Sequence, residues 1–351
     1  MREQTQRILA RAGVALLVTA LMATFGLPAL PHSAAADDMT SVTLFMSYIP
    51  SVQFSMLYVA AEKGYFAEEG IDIHFENSFN EADGVERIAN NDLQFGLISG
   101  EQVILARAQE RPVVYVFEWF HRFPVGIVSP ADAGITEPED LAGKVVGVPI
   151  LAGASYIGLR ALLAAGGLTE DDLAELRTIG FTAPENVCER MVDAAVVYIA
   201  NEPLTIETDC FPVNVIQVSD YATLVSNGLV TNEQTIRDNP DLVRGMVRAI
   251  QRGLADVIAD PDEAFEISVP EYVPDLPEDQ YDTQRQVLYN SVELWRSDDL
   301  GRTNPEAWEA TQAILLEAGL LAEPLDDLAA CYDMRFLPEE RVDTTAEAES
   351  E

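Results

Sequence analysis

Residues 58–76 read YVAAEKGYFAEEGIDIHFE, a short helix, a glycine-bounded turn and a strand in nineteen residues. Val59, Ala60, Tyr65 and Phe66 supply apolar contacts, Gly64 offers the positive φ that a helix end favours, and Gly70 closes the turn. Ile71, Ile73 and Phe75 then alternate with Asp72, His74 and Glu76, the period of two expected of a strand with one buried face, which puts His74 on the solvent side. With the apolar run VTLFMSYIP (42–50) just upstream, the stretch completes a β-α-β unit, the building block of a sheet with helices on its faces.

The alternation continues outward. DGVERIANND (83–92) predicts a helix, LQFGLIS (93–99) a strand, GEQVILARAQER (100–111) a helix and PVVYVFEWF (112–120) a buried strand. EDLAGKVVGVPI (139–150) holds a short strand after a turn. SYIGLRALLAAGGL (155–168) reads as a helix that Ser155 could cap and that ends at Gly166 and Gly167. Thr169 and Asp172 have the spacing of a capping box for a helix over EDDLAELRTI (170–179). AAVVYIA (194–200) and FPVNVIQVSD (211–220) are strand-like, and from Asn239 onward amphipathic helices take over. The strand-rich runs 113–120 and 211–220 bracket a middle block, the pattern of one domain inserted into another with a cleft between them.

The ends and the composition bound the class. Arg2, Arg7 and Arg11, an apolar core and the Ala34–Ala36 triplet give residues 1–36 the order of a cleaved secretory signal peptide without a lipobox cysteine. Its removal takes the net charge from −38 to −40 and leaves Lys63 and Lys144 as the only lysines. Such a surface does not suit nucleic acid, whose phosphates need clustered Lys and Arg; it favours solubility, as in a salty medium that screens repulsion. The polar, acidic end 336–351 is expected to be disordered. Cys188 and Cys210 flank a strand and either bridge as a clip or stay as unpaired core thiols; with Cys331 the odd count leaves at least one free or intermolecular thiol. Only His74 and His121 lie beyond the leader, and no G-x-S-x-G, H-E-x-x-H or Cys/His cluster is present, so triad or metal chemistry lacks its parts and no catalytic residue or cofactor is assigned.

YVAAEKGYFAEEGIDI, LQFGLISGEQVILARAQERPVVYV, GITEPEDLAGKVVGVP and DAAVVYIANEP occur in an ordered series that resembles the NMT1/THI5-like group of periplasmic solute-binding proteins of ABC importers. That group also resembles sulfonate and thiamine-precursor binders and includes a pyrimidine synthase. Within it, YIPSVQF (48–54), SGEQV (99–103), EWFHRFP (118–124), LAGASYIG (151–158) and YIANEP (198–203) are similar to the riboflavin-binding subunits. The resemblance implies a two-lobed α/β fold of the Venus-flytrap type with two hinge strands, lobe one being 40–120 plus 220–335 and lobe two 121–219. It also implies a monomer in the periplasm, a permease partner and, between the lobes, riboflavin or a thiamine-precursor pyrimidine.

A flat ring wants aromatic faces and a few hydrogen-bonding groups at its edge. Tyr48 and Phe54 in the first loop, Trp119 at the first hinge, Tyr156 at a helix start and Tyr198 at a strand end are placed to supply the faces; each alone reads at least as well as core, Phe54 above all, and Tyr48 and Tyr198 are the better candidates because each sits where a strand gives way to a Pro-containing loop. Ser99 and Glu101 begin a helix whose free N–H groups welcome acceptors; Ser155 opens another; Asn201 and Glu202 follow Tyr198. Arg122 is the basic candidate, required if the ligand is instead a sulfonate or nitrate.

Overall fold

The computed structural model describes residues 39–345, so the signal-peptide reading of 1–36 and the last six residues of the acidic tail lie outside it. Two five-stranded sheets organise the chain. The first takes β1 (Thr40–Met46), β2 (Ile71–Asn77), β3 (Phe95–Ser99), β4 (Val113–Glu118) and β10 (Asn227–Asn232) in the order β2-β1-β3-β10-β4. β1 runs parallel to β2 and β3, while β10 lies antiparallel between β3 and β4. The second takes β5 (Val125–Pro130), β6 (Val145–Val148), β7 (Glu175–Thr178), β8 (Ala194–Tyr198) and β9 (Val213–Gln217) in the order β7-β6-β8-β5-β9. The chain passes from the first sheet to the second through 119–124 and returns through 218–226.

The opening unit folds as its sequence dictates. A helix covers Ser55–Glu62, Gly64 adopts φ 78° ahead of a single turn Tyr65–Glu68, and Gly70 at φ 71° feeds β2. Ile71 is buried and His74 exposed. The long helix Pro240–Ala259 lies across Ser55–Glu62, close enough that a Cβ on Gly253 would meet the Met56 carbonyl oxygen at 2.2 Å. The helices Pro261–Tyr272 and Tyr281–Trp295 complete this layer, burying Phe265 and Trp295.

Two local expectations are corrected. The Thr169–Asp172 capping box forms, but it heads only the 3-10 turn Glu170–Asp172. The Ala174 N–H then bonds the Lys144 carbonyl and residues 175–178 pair with β6, so sheet pairing overrides local helix propensity. Residues 336–345 are packed, against the expectation of disorder: Phe336 is buried, Leu300 N–H donates to Val342, and Ser297 and Thr344 exchange hydrogen bonds of 2.9 and 3.0 Å. Cys188 and Cys210 are bridged, and Cys331 is free and buried.

Candidate functional site

A cleft lies where the C-terminal ends of the parallel strands of both sheets face one another, the edge at which open α/β sheets leave their loops free to bind. It holds about 960 Å³ of space, open solvent included. Tyr48 follows β1, Phe79 and Glu81 follow β2, Ser99 ends β3 and Trp119 follows β4. From the other side come Ile150 and Ser155 after β6, Phe181 after β7, and Tyr198, Asn201 and Glu202 at the end of β8.

The aromatic groups form two sets. Trp119 stacks on Phe54 at 5.3 Å between centroids and tilts against Phe120 at 4.5 Å, with Trp295 behind it at 6.2 Å. These rings are buried, yet Trp119 Nε1 has no hydrogen-bond partner. The second set sits at the mouth: Phe79 of one wall stacks on Phe181 of the other at 5.1 Å, and Tyr48 meets both edge-on at 5.7 and 5.6 Å. Phe79 and Phe181 remain 52% and 46% exposed, which leaves apolar faces available to a ligand.

The charged groups are acidic. The Ser99 N–H donates to Glu81 Oε1 at 2.6 Å, and Ser99 Oγ lies 2.8 and 2.9 Å from the Glu81 oxygens and 2.7 Å from Glu101 Oε1. A hydroxyl carries one hydrogen, so it cannot fully serve two carboxylates; a proton retained on one of them completes the set. Burial, then the charge of Glu81, pushes the Glu101 carboxyl up to about 8, and burial raises Glu81 as well. Glu202 accepts from the Tyr198 N–H at 3.1 Å and is pushed by burial up to about 7. The Tyr198 hydroxyl donates to Asn227 Oδ1 at 3.2 Å, and its own ionisation is pushed up by burial and by the nearby glutamates. Tyr48 rises to about 12, through burial and then Glu202.

The cleft brings together eight of the eleven sequence candidates: Tyr48, Phe54, Ser99, Trp119, Ser155, Tyr198, Asn201 and Glu202. Ser155 does so without the expected capping role, because its helix, Gly153–Ala165, already begins two residues earlier. Three candidates are corrected. Glu101 does not line the cleft but lies behind Ser99. Tyr156, one residue and about 100° of helix rotation beyond Ser155, turns its hydroxyl to Glu170, which also accepts from Arg160 at 2.8 Å. Arg122 points outward and donates to Gln217 at 3.1 Å and Ser219 at 3.4 Å. Phe79, Glu81, Phe181 and Asn227 were missed, since none carries a periodic or motif signal in sequence.

A family model described as NMT1/THI5 like matches residues 51–264. The riboflavin-binding protein RibY of Chloroflexus aurantiacus is 38% identical, covering 88% of this chain and 90% of its own. The formylaminopyrimidine-binding protein of Halalkalibacterium halodurans is 28% identical, covering 72% of this chain and 77% of its own. Among solved structures, the periplasmic aliphatic sulphonate binding protein SsuA of Escherichia coli superposes with a TM-score of 0.69 at 14% identity, covering 86% of this chain and 95% of its own. The fold is the two-lobed α/β fold of periplasmic binding proteins.

Proposed function

The chain belongs to the NMT1/THI5-like family, and from that premise we propose that it is the extracytoplasmic solute-binding component of an ABC importer, with riboflavin as its ligand. The observation that carries this reading is the make-up of the cleft: Trp119, Phe54 and Phe120 on one wall and a Tyr48, Phe79 and Phe181 cluster at the mouth, with polar groups between them. Offset or edge-on rings hold a flat heterocycle by its faces. Asn201, Ser155 and the carboxyl groups suit an edge that both donates and accepts, and the ribityl hydroxyls.

The mechanism is capture. The open cleft admits the ring, the lobes 40–120 plus 220–335 and 121–219 close about 119–124 and 218–226, and the closed form is presented to a membrane permease. Among the described lining residues there is no Lys, Arg or His, which weighs against a sulfonate or nitrate as ligand. A thiamine-precursor pyrimidine is the second reading, favoured by the formylaminopyrimidine-binding relative. Neither His74 nor His121 is among the lining residues.

Titration of the purified protein with riboflavin, read by quenching of its tryptophan fluorescence, tests the reading against formylaminopyrimidine. Saturable quenching by riboflavin with none by the pyrimidine is the expected result. The reverse would transfer the protein to pyrimidine uptake.

A further inference from the structure

We infer that the cleft accepts only the free, non-anionic form of its ring ligand and rejects phosphorylated forms, because its own carboxyl groups occupy the positions where an anion would be held. This rests on the ring-binding reading above and narrows it to a ligand class.

Helix N-termini are the natural anion sites of such a cleft, offering unpaired N–H groups and the positive end of the helix dipole. Helices Gly100–Ala108, Gly153–Ala165 and Glu202–Asp209 all begin at the cleft. Glu81 takes the N–H of Ser99, the residue that precedes the first helix, at 2.6 Å. The other Glu81 oxygen lies 3.5 Å from where a Cβ on Gly153 would stand, so one carboxyl group from the first wall also faces the start of the second helix. Gly153 holds φ 70°, a backbone conformation that glycine adopts readily. At the third helix Glu202 is itself the first residue, its carboxyl group accepting from the Tyr198 N–H at 3.1 Å.

Among the described residues, the arginines nearest the cleft are committed elsewhere. Arg122 is committed to Gln217 and Ser219, and Arg160 to Glu170. What the cleft does offer is the unpartnered indole N–H of Trp119, 5% exposed and lining the site, a single neutral donor suited to a ring carbonyl or ring nitrogen. A phosphate bearing nearly two negative charges would have to displace these carboxyl groups to reach the helix starts, and would be repelled by any that is ionised.

The test is a set of titrations of the full chain at one ionic strength, with riboflavin, riboflavin 5′-phosphate, an aminopyrimidine and its phosphate, and with inorganic phosphate and methanesulfonate alone. Whichever ring binds, its free form should bind roughly 100-fold or more tightly than its phosphate. The inorganic anions should not bind. A phosphate ester that binds as tightly as the free compound overturns the inference, as does saturable binding of either inorganic anion. Binding of the pyrimidines in place of the flavins removes the riboflavin reading while still measuring the discrimination, so the two failures are distinguishable. Glu81→Gln should narrow the preference, and Glu202→Gln serves the same purpose if the first variant does not fold. A preference unchanged in folded variants would overturn the role given to these carboxyl groups.

Discussion

The two walls of the cleft stand on sheets of equal strand number but unequal support. Behind the first wall lies the large core that includes Phe117, Phe265 and Trp295, so that Phe54, Trp119 and Phe120 are held at 5% exposure or less before any ligand arrives. One face of the second sheet shares a core with Ile104 and Trp308, but its other face covers only a small cluster including Val128, Val187, Val197 and Ile206. The apolar cleft residues left exposed sit at the mouth, Ile150 and Phe181 of that side at 39% and 46% and Phe79 of the first at 52%. The difference teaches a division of labour: a platform prepared by folding behind the first wall, and a mouth whose apolar groups gain burial from what they close upon.

The comparison is broken most severely at Trp119. If the platform is part of the first core, Trp119→Ala should lower the unfolding free energy by about 3–5 kcal/mol, seen as a lower urea midpoint, and abolish measurable ligand binding. Trp119→Phe keeps most of the volume and removes the unpartnered N–H. It should leave the urea midpoint nearly unchanged, because the N–H has no partner in the protein, while weakening binding if a ring acceptor takes that donor. Equal loss of stability in both variants would mean that the indole is structural and not a binding group.

Next comes the bridge that compensates the smaller cluster. Cys188 ends the helix Ala183–Cys188 and Cys210 follows the helix Glu202–Asp209, with a sequence separation of 22 residues. Replacing both with Ala should cost about 3 kcal/mol through the entropy regained by the unfolded chain. Hydrogen exchange should show faster opening of β8 and β9 with β1 and β3 unchanged, because the bridge ties only the outer face of the second sheet. Uniformly faster exchange would deny the two sheets separate stabilities.

How much of this was legible in the sequence follows the same line. The β-α-β opening was readable because Gly64, Gly70 and the Ile71, Ile73, Phe75 alternation act locally. Residues that end strands, such as Ser99, Trp119 and Tyr198, were readable as cleft residues because the topology alone places strand ends at the cleft. Phe79, Phe181 and Glu81 were not, since their meeting depends on how one sheet faces the other. Arg122 was misplaced because proximity in sequence to Trp119 says nothing of direction: its N–H bonds the Leu294 carbonyl, and the crossing turns its side chain to solvent. The 336–345 segment was misread because its composition is that of a disordered tail, while Phe336 and Thr344 dock it individually.

The smallest effect is expected at the mouth, and it sharpens the contrast most finely. Phe181 meets the rings of the other wall at Phe79 and Tyr48, and it is half exposed, so its truncation removes little from the second core. If the walls separate when the cleft is empty, the stacked contact does not contribute to the stability of the free protein, and Phe181→Ala should leave the urea midpoint within experimental scatter. The loss should then appear on binding, as about 0.5–1.5 kcal/mol or roughly two- to tenfold in affinity, carried mainly by faster ligand release. Stopped-flow dissociation measured beside equilibrium unfolding separates the two cases. A stability loss of that size with unchanged release would mean that Phe79 and Phe181 hold the walls together without ligand, and that both walls, not one, are prepared by folding.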